Sequence, residues 1–191
     1  SSAASDVYKR QHDIYPDRAE LRDYSVASLF PDYISGSKNH DEWEAIGVWA
    51  WGSSRIVDYL EREGRIDMSK IAIMGHSRQG KAALWSGAQD SRFKVVISND
   101  SGCGGAALSK RVYGENIARI TTVLSHWFCP AFSQYAGNEE NLPFDQHEML
   151  ALIAPRHLYV ASAEGDLWAD PKGEYVSAYY TNKVYELYKM K

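Results

Sequence analysis

Short apolar runs alternate with segments of helical periodicity along this chain. Runs at 71–74, 93–98 and 157–162 are rich in Ile, Val, Leu and Tyr and predict buried strands. Before the first run, apolar residues recur at helical spacing from Trp43 to Leu60, so a helix is predicted there. Asn39 or Asp41 can cap its start, and Gly64 lies where it should end.

Further helices are predicted between and after the strands. One follows the first strand through residue 88, and another covers 115–124. Asp145 can cap a third that runs to Ile153, and Pro171 suits the first turn of a last one. Strands that are apolar throughout and alternate with helices predict a mostly parallel sheet with helices on both faces, an α/β fold.

Composition narrows the class of partner. The chain has 191 residues, 45% of them hydrophobic, and a formal net charge of −4. Because Lys and Arg do not cluster, a nucleic acid or an anionic membrane surface is not expected as a partner. No apolar run reaches the roughly 18 residues of a membrane span. Cys103 and Cys129 can form one disulfide or remain two free thiols.

The two ends of the chain carry their own expectations. Residues 6–11 are what a library adapter would encode, so residues 1–11 are expected to be an adapter-derived or disordered tail. Residues 12–191 are expected to form part of a catalytic domain. The last segment, 185–191, stops in a helix-like pattern without a terminating signal.

The segment around Ser77 is typical of a nucleophile elbow. Glycines flank this serine at Gly75 and Gly80, as in a G-x-S-x-G signature, with a predicted strand before it and a helix after it. Such a turn exposes the serine hydroxyl above the sheet. The following residue, Arg78, then presents its N–H at a helix N-terminus, where partial positive charge suits an oxyanion.

Acidic residues follow the other two predicted strands. Asp100 comes after the second strand, and Glu164 and Asp166 come after the third, together with Trp168. Because the carboxyl ends of parallel strands meet at one edge of a sheet, these side chains are expected near Ser77. Each aspartate can also be an ordinary loop or capping carboxylate.

A general base for the serine is harder to find. In hydrolases with this elbow the histidine follows the acid along the chain. His76 is adjacent to Ser77 and should point away from it, and the remaining histidines all precede Asp166: His12, His40, His126, His147 and His157. The base is therefore expected beyond Lys191.

Three blocks together resemble bacterial glucuronoyl esterases, carbohydrate esterase family 15. The blocks are residues 75–81, 98–108 and 161–171, and the likeness runs from about Trp43 to Tyr185. The resemblance implies an α/β-hydrolase fold, of which this chain is an incomplete part. It also implies hydrolysis of the ester between the 4-O-methylglucuronic acid of glucuronoxylan and lignin alcohols, with no metal or organic cofactor.

The resemblance also implies roles for individual residues. Ser77 would be the nucleophile, and Arg78 an oxyanion donor through its backbone and its guanidinium. Lys81 would bind the uronate, Glu115 its hydroxyls, and Trp168 the sugar ring. Without the resemblance, the last three would be a solvated lysine, a capping glutamate and a core tryptophan.

The sequence departs from the family at two points. Asp100 stands where many members have Glu and reaches less far, so the role of third triad residue shifts toward Asp166. The family's C-terminal histidine and the N-terminal half of its sheet have no counterpart, so the chain alone is expected to be inactive. Export to the periplasm or medium is inferred from the polymeric substrate. The alternatives are an acetylxylan or other small-ester hydrolase, and an inactive module that binds acidic xylan.

Overall fold

The computed structural model describes residues 14–30 and 41–189. The α-helices are α1 (Ala45–Glu63), α2 (Arg78–Gln89), α3 (Ile117–Val123), α4 (Gln146–Ala151) and α5 (Pro171–Leu187), and the strands are β1 (Ala72–His76), β2 (Val95–Asn99) and β3 (His157–Ala161). Short 3₁₀ helices cover Ala19–Tyr24, Val26–Leu29, Met68–Lys70, Ser109–Arg111, Pro130–Tyr135 and Glu139–Asn141. The tail predicted for residues 1–11 lies outside the described part of the chain.

The three strands form a parallel sheet in the order β1-β2-β3. Met74 of β1 lies beside Ile97 of β2, which lies beside Tyr159 of β3. The carboxyl ends of the strands therefore meet at one edge, as the sequence predicts. The chain leaves this edge at residues 77, 100 and 162.

Helices cover the two faces of this sheet unequally. On one face Val96 is fully buried and belongs to a core with Val57 of α1, Leu84 of α2 and Leu150 of α4. On the other face Met74 and Tyr159 are 70% and 62% exposed. The parallel sheet is confirmed, while helices of the described residues cover mainly one face of it.

The start of α1 differs from the prediction. Asn39 lies outside the described residues, and Asp41 does not cap the helix, which begins at Ala45 after Glu44. The backbone N–H groups of Ala45 and Ile46 donate instead to the carbonyl oxygens of residues 126 and 127, at 2.9 and 3.2 Å. A distant loop thus supplies the acceptors that a capping side chain would provide. Trp43 precedes the helix and is 37% exposed.

The other helix boundaries follow the local signals closely. Gly64 ends α1 in the left-handed conformation, with φ 68°. Asp145 accepts the N–H of Gln146 at the start of α4, and Pro171 occupies the first turn of α5. The helix predicted over 115–124 is shorter, because Asn116 caps it by accepting the N–H of Arg119. No helix of the described residues is long and apolar enough to cross a membrane.

Candidate active site

Ser77 occupies a strained turn between β1 and α2. Its backbone has φ 55° and ψ −124°, a conformation that L-residues rarely adopt. The Ser77 N–H donates to the carbonyl of Asn99 on the neighbouring strand at 2.9 Å, which ties the turn to the sheet. Strain of this kind persists where the surrounding structure fixes it and concentrates at functional sites.

The glycines beside Ser77 are required by close backbone approach. A Cβ on Gly75 would lie 2.0 Å from the carbonyl oxygen of Gln79, and one on Gly80 would lie 2.9 Å from the Ser101 Cβ. The spacing corrects the expected G-x-S-x-G signature: the second glycine is three residues after the serine, not two. Position 80 is where the first turn of α2 crosses the loop after β2, so the glycine is needed there.

A small pocket of about 70 Å³ opens beside Ser77 at the carboxyl edge of the sheet. Six of the candidate residues from the sequence line it: Ser77, Lys81, Asp100, Glu115, Asp166 and Trp168. His76, Ser101 and Trp127 line it as well. The six candidate residues come from four separate segments of the chain. Asp100, Asp166 and Trp168 thus lie near Ser77 as predicted, whereas Glu164 is exposed and does not line the pocket.

Lys81 and Glu115 form a buried ion pair in the wall of this pocket. Their side chains are 3% and 11% exposed, and Nζ of Lys81 lies 3.2 Å from Oε2 of Glu115. Nζ also donates to the carbonyl oxygen of Ser101 at 2.5 Å. Lys81 is thus neither solvated nor free to move, because two acceptors fix its ammonium group.

Trp168 is 53% exposed and lines the pocket, so it is not a core tryptophan. Its carbonyl accepts the N–H of Glu115 at 2.9 Å. A Cβ on Gly114 would lie 2.4 Å from that same carbonyl oxygen. The absence of a side chain at position 114 therefore allows the loops that carry Glu115 and Trp168 to pack together.

Both candidate acids reach the pocket, in different surroundings. Asp100 has φ 45° and a side chain that is 9% exposed. Its Oδ1 accepts the N–H of Ala163 at 2.6 Å, and its Oδ2 lies 3.8 Å from Nδ1 of His76. Asp166 accepts the N–H of Ala169 at 3.3 Å within its own turn.

No histidine is hydrogen-bonded to Ser77 within residues 14–30 and 41–189. His76 lines the pocket, but its Nδ1 lies 2.7 Å from the Asn99 amide nitrogen. His126 is 8% exposed and its Nε2 lies 2.9 Å from Asp17. His147 is in α4, and His157 begins β3 at the end of the strand opposite the site. His12 and His40 lie outside the described residues.

Arg78 presents its backbone N–H at the start of α2, and its guanidinium lies beside the pocket, against the lining residue Trp127, rather than in the lining itself. The guanidinium stacks on the indole of Trp127, 5.2 Å from the ring centroid. Its Nη1 donates to the Asp17 carboxylate. Lys81 approaches the same indole, with Nζ 5.7 Å from the centroid.

Sequence reasoning missed Asp17, Trp127 and Glu174. Trp127 is 4% exposed and lines the pocket. Glu174 is fully buried and accepts the N–H groups of Ser101 and Gly102 behind the pocket. No local motif marks these residues, because the partners of their side-chain hydrogen bonds lie 12 to 110 residues away.

Cys103 and Cys129 are free thiols. Burial raises the pKa of Cys103 to about 12 and also raises that of Cys129. Within the described residues, no group of three or more His, Cys, Asp or Glu side chains could hold a metal ion.

Sequence and structure comparisons identify relatives over most of the chain. A sequence model described as fungal glucuronyl esterase matches residues 37–188. The chain is 51% identical over 146 residues to carbohydrate esterase MZ0003 from an unknown prokaryotic organism, a match that covers 76% of this chain and 34% of that protein. It is 38% identical over 137 residues to a 4-O-methyl-glucuronoyl methylesterase of Hypocrea jecorina, covering 67% of this chain and 30% of that one.

The same relationship holds in three dimensions. A glucuronoyl esterase from Solibacter usitatus superposes with a TM-score of 0.88 at 47% identity. The match covers 94% of this chain and 46% of that structure. The chain therefore spans a third to a half of the length of these relatives. The α/β-hydrolase fold expected from the sequence is confirmed by this match.

Proposed function

Because the chain belongs to the glucuronoyl esterase family, we propose that it carries the nucleophile and uronate subsite of a serine esterase. The enzyme hydrolyses the ester between 4-O-methylglucuronic acid of glucuronoxylan and a lignin alcohol. The observation that carries this proposal is one pocket in which the strained Ser77 adjoins the buried Lys81–Glu115 pair and the exposed face of Trp168.

In the first half of the reaction, Ser77 Oγ attacks the ester carbonyl. A histidine from outside residues 14–30 and 41–189 accepts the hydroxyl proton and then donates it to the departing alcohol. Asp166 orients that histidine, as expected from its place after β3, and Asp100 is the alternative. The product of this half-reaction is an acyl-enzyme on Ser77.

The negative charge that develops on the carbonyl oxygen is stabilised at the start of α2. The backbone N–H of Arg78 donates to the oxyanion, and its guanidinium supplies positive charge nearby. In the second half, water attacks the acyl-enzyme with the same histidine as base. The uronic acid is then released and Ser77 regains its proton.

The pocket wall suits an uncharged, hydroxylated ring. Sugar hydroxyls both donate and accept hydrogen bonds, and the Lys81 ammonium and Glu115 carboxylate provide one partner of each kind. The half-exposed indole of Trp168 provides a flat apolar surface for the ring. An acetyl group would use none of these contacts.

Since lignified xylan is an extracellular polymer, we also propose that the enzyme acts outside the cytoplasm.

A substrate comparison tests this proposal. The assay uses the extended enzyme, meaning this chain joined to the parts of the Solibacter usitatus enzyme that lie outside the matched segment. We expect kcat/KM for benzyl glucuronate to exceed that for acetylxylan by about 100-fold or more, because each unpaired buried polar group costs about 1–3 kcal/mol.

The control is Ser77→Ala, which should reduce kcat by several orders of magnitude and leave the melting temperature unchanged. Equal kcat/KM on the two substrates would favour a general acetyl or small-ester hydrolase. Binding of acidic xylan without turnover would indicate an inactive module.

A further inference from the structure

One carboxylate outside the pocket joins three side chains around it. Asp17 accepts a hydrogen bond from Nε1 of Trp127 at 2.6 Å and lies 2.9 Å from Nε2 of His126. It also accepts from Nη1 of Arg78. Its side chain is only 12% exposed, so water contributes little to its solvation.

The protonation state of Asp17 follows from these contacts. Burial alone would raise its pKa, but hydrogen bonds from His126, Trp127 and Arg78 outweigh burial and hold the pKa below its usual range. Asp17 is therefore ionised throughout the neutral range. An ionised carboxylate makes hydrogen bonds about twice as strong as a neutral acceptor does.

The segment that carries Asp17 is itself fixed. Two residues earlier, Tyr15 is fully buried; its hydroxyl donates to Glu44 at 2.6 Å and its carbonyl accepts from Nε1 of Trp49 at 2.8 Å. On the other side, the carbonyl groups of His126 and Trp127 accept the first N–H groups of α1. Asp17 is thus held between two anchored segments of backbone.

We propose that Asp17 is a positioning residue for the reaction at Ser77, acting through the guanidinium of Arg78. Asp17 fixes Arg78 from one side, and the indole of Trp127 supports its flat face. Asp17 also accepts the hydrogen bond from Nε1 of Trp127 and so orients the indole. Because Trp127 lines the pocket, this bond fixes the part of the pocket wall on which the guanidinium rests. The inference rests on the esterase reaction proposed above.

Such an arrangement matters because a guanidinium on a long side chain has many rotamers. The guanidinium lies beside the pocket, over Trp127, so its positive charge acts on the oxyanion from a position that must be set before the negative charge develops. A displacement of about 1 Å can cost about 100-fold in rate. Asp17 removes that freedom without touching the substrate. Its loss should therefore lower kcat more than it raises KM.

A double-mutant cycle tests this coupling in the extended enzyme. We expect Asp17→Asn to lower kcat on benzyl glucuronate by about 10- to 100-fold, with KM changed less than about threefold. In an Arg78→Ala background the same substitution should change kcat by less than about twofold. Asp17→Glu should recover part of the rate, and Asp23→Asn, at an exposed position of the same segment, is the matched control. An effect of Asp17→Asn that persists at full size without Arg78 would overturn the proposal.

A measurement that needs no turnover separates this inference from the proposed function. In nitrogen-15 NMR spectra of the chain, the guanidinium signals of Arg78 are assigned by their disappearance in Arg78→Lys. We expect them to show slow rotation of the guanidinium in the parent chain and faster rotation in Asp17→Asn. If Asp17→Asn does not fold, Trp127→Phe is the substitute test, because it keeps an aromatic ring but removes the indole donor to Asp17. The rotation rate of the Arg78 guanidinium in that variant should exceed the rate in the parent chain. Equal rotation rates in the parent and these variants would refute the role of Asp17 whether or not the enzyme hydrolyses glucuronate esters. An inactive parent enzyme with a restricted Arg78 would contradict the proposed function alone.

Discussion

Glu174 supports the loops behind the pocket, and its replacement should be costly. It lies in the first turn of α5 and is fully buried. Its Oε1 accepts the Ser101 N–H at 2.8 Å, the Ser101 hydroxyl at 3.0 Å and the Gly102 N–H at 2.9 Å. Its Oε2 accepts the hydroxyl of Ser162. One carboxyl group thus joins the loops that follow β2 and β3.

The expected cost of Glu174→Ala follows from these partners. Two buried backbone N–H groups, of Ser101 and Gly102, lose their acceptor at about 1–3 kcal/mol each, while the two hydroxyls can rotate toward other acceptors. The free energy of unfolding should therefore fall by about 2–6 kcal/mol, before any cost of the cavity. Glu174→Gln keeps the volume and one carbonyl oxygen, so it should cost only about 1 kcal/mol.

Urea unfolding of the chain, followed by tryptophan fluorescence, measures these differences. Ser162→Ala is the matched control, because it removes one donor and leaves both backbone N–H groups paired. In the extended enzyme Glu174→Ala should also raise KM, since the carbonyl of Ser101 holds the Lys81 ammonium at 2.5 Å. A loss below about 1 kcal/mol for Glu174→Ala, or equal losses for Ala and Gln, would refute this reasoning.

Three further predictions concern acids and thiols. In the extended enzyme, Asp166→Asn should lower kcat more than Asp100→Asn does; the reverse order would assign the triad acid to Asp100. Burial tends to raise the pKa of Asp90, but hydrogen bonds from Arg92 lower it to about 2. Ionised Asp90 therefore stabilises the folded chain above about pH 4, and this stabilisation is lost as the pH falls toward 2. Over that range the parent chain should lose about 1–2 kcal/mol more unfolding free energy than Asp90→Asn, and parallel curves would contradict this. Native Cys103 should resist iodoacetamide at pH 8 while half-buried Cys129 reacts slowly, and mass spectrometry showing equal labelling would contradict that order.

Much of the fold could be predicted because its signals are local. The elbow, Gly64 at the end of α1, the Asp145 cap and Pro171 in α5 each depend on residues within a few positions of one another. Parallel strands then place their carboxyl ends together, which is why Asp100 joins Ser77 in one pocket. Local chemistry and a single topological rule were sufficient for these features.

The residues that hold the site in place could not be found in this way. Asp17 is 61 residues from Arg78 and 110 from Trp127, and Glu174 is 73 from Ser101. The predicted cap of α1 was wrong for the same reason, because the carbonyl groups that accept the first N–H groups of this helix lie in the loop at residues 126 and 127. In each case a polar group finds its partner through tertiary packing, and no spacing in the sequence encodes that partner.

The pairing of charges beside the pocket affects how strongly the neutral ester, the transition state and the charged acid product would each bind. Lys81 is bonded to Glu115, and Arg78 to Asp17, with the indole of Trp127 close to both cations. Two unpaired cations would bind the uronic acid product through its full charge and slow its release. When each cation already has a carboxylate partner, the donors keep their geometry while the net attraction for a bound carboxylate falls. In the proposed reaction the neutral ester would then bind through hydrogen bonds. Charge stabilisation would be strongest at the oxygen where negative charge develops beside α2, which is the condition for lowering the barrier rather than for tight ground-state binding.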